Sequence, residues 1–248
     1  MKLHVATYNI HKGFSQFNRR LMIHELRDHL RELGADIVFL QEVLGQHHRH
    51  AARFDTWPDE PQYEFLAHEV WSDYAYGRNA VYDHGHHGNA ILSRYPIVHA
   101  ENQDISTHNL ESRGMLHCEI DVPGLETPLH CVCLHLSLHE RGRRHQVGAL
   151  IERIHDRVPH RAPLVVAGDF NDWRNLAGKR LAASLGLSEA LADHWGRPAR
   201  SFPSAFPLLR LDRIYVRGFQ VGRAETHRSR AWARLSDHAA LSAHLRTD

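Results

Sequence analysis

Short apolar runs rich in β-branched residues recur along this chain, and nearly every one is met at once by an acid, an amide or a histidine. The runs fall at Leu3 to Ile10, Ile37 to Leu40, Ala90 to Leu92, Leu129 to Leu136, Leu164 to Ala167, Ile214 to Val216 and Ala239 to Leu245. Bounded by polar residues, runs of this kind read as buried strands. Between them, Leu21, Ile23, Leu26, Leu30 and Leu33 fall mostly at three- and four-residue spacing and stop at Gly34, which predicts an amphipathic helix. A second helix is predicted from Glu140 to Val158, where Val147, Ile151, Ile154 and Val158 share one face and Pro159 ends the pattern. A weaker third covers Leu176 to Leu185 and ends at Gly186. This alternation gives an α/β layered fold, with the strand order left open.

The polar residues at the strand ends are as informative as the strands. Asn9 ends the first run, Glu42 follows the second, His135 lies late in the fourth, and Asp169 with Asn171 follows the fifth. Asp212 precedes the strand ending at Val216, and Asp237 with His238 precedes the last. Any one of these is ordinarily a cap or turn residue, but a rigid sheet whose loops converge at one rim is where catalytic groups gather.

The bulk numbers narrow the setting. With 248 residues, 42% hydrophobic and 24% charged, the chain suits a globular fold, and without repeats or a Gly/Ser- or Pro-rich linker it reads as one domain spanning 1–248. Lysine and arginine total 30 against 29 acids, so the net charge of +1 gives no global pull toward nucleic acid and any basic footprint must be local. Cys118, Cys131 and Cys133 fit neither a disulfide framework nor a zinc finger, which favours reduced thiols and a cytoplasmic setting. No apolar run approaches the roughly 20 residues that span a bilayer, and the N-terminus lacks a secretory pattern.

TYNIHKG, LQEV, GNAILSR, ESRG, LHLS, GDFN, LDRIYV and SDH occur in that order over residues 7 to 238. Together they resemble the endonuclease/exonuclease/phosphatase family, in its DNase-I-like and sphingomyelinase-like branches. The resemblance implies a two-sheet β-sandwich flanked by helices, with the site at one end. It also implies hydrolysis of phosphate esters with a divalent cation, Mg2+ or else Mn2+. Glu42 is the implied metal ligand with Asn9 and Asp237 beside it, and hard carboxylate oxygens suit magnesium. Asp169 and Asn171 would prepare the attacking water. His238, oriented by Asp212, and His135 would handle phosphate and protons. Asn89 and Arg113 match positions that approach the substrate phosphate, and arginine offers a planar fork for two of its oxygens.

Some members of the family carry an acid two residues after the first asparagine, where this chain has His11, a nitrogen donor that magnesium disfavours. The clusters HHRH at 47–50 and HGHH at 84–87 read as solvated loops, and a non-catalytic protein using them to hold a transition metal is the competing class of function. Among substrates, nucleic acid is favoured over a phospholipid or phosphoinositide head group. The segment RAETHRSRAWARL at 223–235 leads into Ser236, Asp237 and His238, bringing Arg228 and Arg230 as phosphate contacts and Trp232 as a stacking face, while no long apolar hairpin is evident.

Overall fold

The computed structural model describes residues 1–108 and 111–247. In chain order the elements are β1 (Lys2–Asn9), α1 (Ile23–Leu33), β2 (Ile37–His47), α2 (His48–Arg53), α3 (Gln62–Ala67), β3 (Asp73–Tyr82), β4 (Gly85–Ser93) and β5 (Ile97–Asp104). There follow β6 (Gly114–Ile120), β7 (Leu129–His135), α4 (Glu140–Arg157), β8 (Leu164–Asp169), α5 (Leu176–Leu185), β9 (Ser188–Glu189), α6 (Ala190–Trp195), β10 (Asp212–Arg217), β11 (Gln220–Thr226) and β12 (Leu241–Arg246). The strands form two six-stranded sheets, ordered β11-β12-β1-β2-β4-β3 and β5-β6-β7-β8-β10-β9.

Alternation along each strand sorts its side chains between two cores. Leu3 and Val5 of β1, Phe39 of β2 and Ile91 of β4 meet Leu116, Cys131, Val165 and Ile214 of the other sheet in the inter-sheet core. Ala6, Tyr8, Val38 and Leu40 point outward and are covered by Ile23, Leu26 and Leu30 of α1 and Phe65 and Leu66 of α3. On the other sheet Val132, Leu134 and Val166 are covered by Val147, Leu150 and Ile154 of α4 and Leu181 of α5. The result is the four-layer α/β/β/α sandwich of the DNase-I-like fold. Cys118, Cys131 and Cys133 are free and buried in its centre.

Strand direction decides where the site lies. β1 and β2 run parallel, as do β7 and β8, while β4, β6, β10 and β12 pair antiparallel to these neighbours. The C-terminal ends of β1, β2, β7 and β8 and the N-terminal ends of β4, β6, β10 and β12 therefore share one rim. Asn9, Glu42, His135, Asp169 and Asp212 all stand there.

All three predicted helices are present, and α1 ends at Gly34 in a left-handed C-cap with φ 67°. Five strands, β3, β5, β6, β9 and β11, and the short helices α2, α3 and α6 add to what the apolar runs predicted. Four of those five strands are sheet edges. No helix among the described residues is long and apolar enough to cross a membrane.

Candidate active site

Asp169 is the hub. It closes β8 and is buried, with Oδ2 accepting from Asn9 Nδ2 at 3.2 Å and lying 3.4 Å from His135 Nε2 and 3.7 Å from His238 Nε2. Its other oxygen, Oδ1, accepts the Asn171 main-chain N–H at 3.0 Å, and Asn171 sits at φ 50°. The GDFN loop is thus an Asx turn that fixes the carboxylate. The Asn171 amide donates to the Leu136 carbonyl at 2.9 Å, so this side chain ties the β8 loop to the end of β7.

Glu42 reaches the same centre through a distortion of β2. The register of β2 with β4 shifts between Leu40 and Val43, and Glu42 adopts φ 57°, a strained conformation for a residue with a side chain. Such a bulge re-aims side chains. Gln41 turns inward, where its amide bonds Thr7 Oγ1, while Glu42 Oε1 accepts from Asn9 Nδ2 at 3.3 Å. Burial alone would raise the Glu42 carboxyl, but the positive charge around it, including the Lys12 ammonium 3.6 Å away and the His238 imidazolium, holds its pKa at about 2. An ionised carboxylate kept ready in this way suits a hard cation.

His238 and Asp237 enter from the loop before β12. Ser236 Oγ donates to the Asn9 carbonyl at 2.7 Å and lies 3.2 Å from the His238 main-chain nitrogen, which pins this loop to the end of β1. His238 Nδ1 then lies 2.9 Å from Asp212 Oδ2. Burial would lower the pKa of this imidazole, but Asp212 and then Asp169 raise it well above the ordinary value, so His238 is a cation. Burial pushes the Asp169 pKa up, with the His238 charge opposing. His135 is the opposite case: burial, then the charge of Arg113, depress it far below the ordinary histidine range, and it is neutral.

Asp237 Oδ1 lies 3.3 Å from His11 Nδ1, so the histidine that replaces an acid in this chain leans on one of the predicted metal ligands. Arg113 donates to Glu111 at 3.0 Å and keeps a buried Nε without a partner beside His135, free for a phosphate oxygen.

The fit to a cation is a matter of donor chemistry. Asp169, Asp212 and His238 present ligand atoms within 4.8 Å of one another, although a cationic His238 must lose its proton before it can ligate a metal, and Asp212 Oδ1 is buried and unpartnered. Glu42, Asn9 and Asp237 supply an oxygen set next to it, linked through Asn9 and His11. Neither histidine cluster supplies such a grouping among the described residues. His47 and His50 stack at 3.7 Å against Trp57 instead.

Three expectations need correction. Asn89 does not offer its amide to substrate: Nδ2 donates to the carbonyls of Gly114 at 2.9 Å and Cys133 at 3.4 Å, bracing one sheet against the other. Arg228 lines a cavity with Arg197, Arg200 and Arg210, and Arg230 is exposed. Trp232 is no free stacking face, because its ring is half-buried against the core, edge-on to Tyr8 at 5.7 Å and to His29 at 5.3 Å. His87 is not a solvated loop residue: β4 carries it to the rim, where burial, then Lys12, lower its pKa to about 4. Lys12, Ser236 and Ser201, whose Oγ accepts the Asp212 main-chain N–H at 3.2 Å, also belong to this centre, and KG after the first strand and the serine of SDH are the sequence signals for the first two.

A family model described as the endonuclease/exonuclease/phosphatase family matches residues 6–238. A relative, the uncharacterized protein YbhP of Escherichia coli (strain K12), is 52% identical over 241 residues, covering 97% of this chain and 95% of that protein. Among solved structures, an endonuclease/exonuclease/phosphatase from Beutenbergia cavernae superposes with TM-score 0.78 at 21% identity, over 99% of this chain and 72% of that one. Another from Bacteroides vulgatus gives TM-score 0.75 at 19% identity, over 100% of each chain.

Proposed function

Because this chain belongs to the endonuclease/exonuclease/phosphatase family, we propose that it is a divalent-metal-dependent hydrolase of phosphodiesters. The observation that carries this reading is the convergence on Asp169 of Asn9, a cationic His238 backed by Asp212, and a neutral His135. Phosphoryl transfer needs a positioned water, neutralised non-bridging oxygens and help for the leaving oxygen.

Asp169 fits the first task, since burial makes it more basic and two fixed hydrogen bonds aim it. His238 and Arg113 bring positive charge to the phosphate oxygens. His135, neutral in the free protein, would take up a proton more readily once the anionic substrate sits beside it, and would then serve the leaving oxygen. Glu42, Asp237 and Asn9 would hold Mg2+ or Mn2+, which when bound neutralises phosphate charge and acidifies a water.

Hydrolysis of bis(p-nitrophenyl) phosphate tests this. Activity should be absent in EDTA and return with Mg2+ or Mn2+, whereas full activity in excess chelator would remove the metal from the reaction. Nucleic acid, the substrate class favoured by residues 223–235, keeps Arg228 and Arg230 as exposed cations but loses Trp232 as a stacking platform. The phospholipid alternative gains from a surface of another kind.

A further inference from the structure

The segment from Ser201 to Arg210 turns back on itself through a bridge between Phe202 and Leu209. Its root is part of the catalytic centre. Ser201 holds the main chain of Asp212, the Ser204 N–H donates to the Asp237 carbonyl at 2.7 Å, and the Phe202 ring lies 5.0 Å from that of His238. Its tip is apolar and open to solvent: Phe206 is 71% exposed, Leu208 52% and Leu209 40%. The sequence hides this hairpin because its apolar stretch, AFPLL, is only five residues long.

Against one side of the tip, at Pro207, opens a cavity of about 490 Å³ lined by Arg197, Arg200, Arg210, Arg228 and Trp195. Arg210 Nε and Arg228 Nη2 donate to the carbonyls of Pro198 and Arg200, and among the described residues none of the four arginines is paired with a carboxylate. Burial, then the charges of Arg200, Arg213 and Arg197, lower the Arg210 pKa. Such a cavity suits an anion with several oxygens.

The tip is not isolated. Phe17 beyond β1, Leu138 beyond β7 and Trp173 beyond β8 are also exposed, each on a loop leaving the rim that carries the catalytic groups. Exposed apolar side chains carried on several loops of one rim mark an interaction surface. Phe17, Trp173 and Phe206 present aromatic faces that a nucleobase could use, but Leu138, Leu208 and Leu209 offer none, and branched aliphatic side chains beside arginines match a hydrocarbon boundary beneath a layer of phosphates.

We propose that this rim docks on an anionic phospholipid surface, with residues 205–209 entering the acyl boundary and the arginine cavity taking a lipid phosphate. The inference rests on the phosphodiesterase reading above and makes a phospholipid of that surface the substrate. Docking through a hairpin rooted on Asp212, Asp237 and His238 delivers the head group directly to the catalytic carboxylate.

Sedimentation with vesicles tests it, using wild-type protein in EDTA so that lipid is not consumed. Binding should be strong to phosphatidylcholine vesicles containing phosphatidylglycerol, weak to phosphatidylcholine alone, and should fall as salt rises. Arg197→Ala with Arg200→Ala should lower the partition by about tenfold or more, since each basic residue near such a surface contributes about 1 kcal/mol. Phe206→Ser with Leu208→Ser should cost about tenfold through lost apolar burial. All four positions are exposed, so melting curves should match wild type. Failure of the wild type to sediment with anionic vesicles, or undiminished sedimentation of both double variants, overturns the proposal. So does binding of an oligonucleotide, but not vesicles, that the arginine variant loses. Hydrolysis of the soluble diester by the wild type is read separately, so a failed docking and a failed catalytic reading are told apart.

Discussion

The two sides of Asp169 each present a histidine to the same carboxylate oxygen, at 3.4 Å for His135 and 3.7 Å for His238, yet the two imidazoles carry different charge. Distance to the shared carboxylate cannot explain this. What differs is the group behind each ring. His238 has Asp212 at 2.9 Å on its far nitrogen, enough to overcome burial, whereas His135 has the charge of Arg113 adding to burial. A buried ring is charged only when a second partner stabilises the cation. The site therefore places a positive charge on one side of Asp169 and a neutral ring on the other.

Removing the shared carboxylate should have the largest effect. Asp169→Asn is expected to lower turnover by about three orders of magnitude while the circular dichroism spectrum is kept, because an oriented base contributes roughly two to four orders. Near-wild-type turnover would take Asp169 out of the reaction. Next, Asp212→Asn should drop the His238 pKa toward or below its ordinary value, seen by NMR of the imidazole, with turnover falling about a hundredfold. Adding His238→Ala to it should cost little more, since the acid acts through the histidine it holds. Additive losses would mean that the two act separately. On the other side, Arg113→Gln should raise the His135 pKa by removing the nearby charge, and lower turnover about tenfold. An unmoved His135 titration would remove Arg113 from the causes of its neutrality and break the comparison on that side.

How much of this was legible in the sequence depends on where each residue sits in the sheets. Of the eight interior strands, seven announce themselves as apolar runs because both faces are covered. β6 is the exception: GMLHCEI places His117 and Glu119 among its apolar residues, and His117 is buried only because His130 and Arg153 meet it. The strands β3, β5, β9 and β11 are edges whose exposed positions take polar residues, so no continuous apolar run survives in IVHAENQD or QVGRAET. The carboxylates and histidines that meet around Asp169 were readable from motif order. Lys12 and His87 were not, because the first depends on the bulge that swings Glu42 toward it and the second on the reach of β4 to the rim.

Asn89 is where the two kinds of information disagree, and it supports the smallest catalytic effect. A motif position beside the substrate predicts that its loss weakens substrate binding. The structure instead gives its amide to Gly114 and Cys133, carbonyls of the opposite sheet, at a position 1% exposed. Asn89→Ala would then leave two buried carbonyls without this donor and open a small void between the sheets, on the His135 side of the site. The expected cost is about 1–3 kcal/mol of stability, measurable by urea denaturation. KM on a soluble diester should change less than about twofold, since no donor aimed at the phosphate has been removed. A rise in KM of tenfold or more with unchanged stability would return Asn89 to the substrate and show that the His135 side binds phosphate through an amide as well as through Arg113.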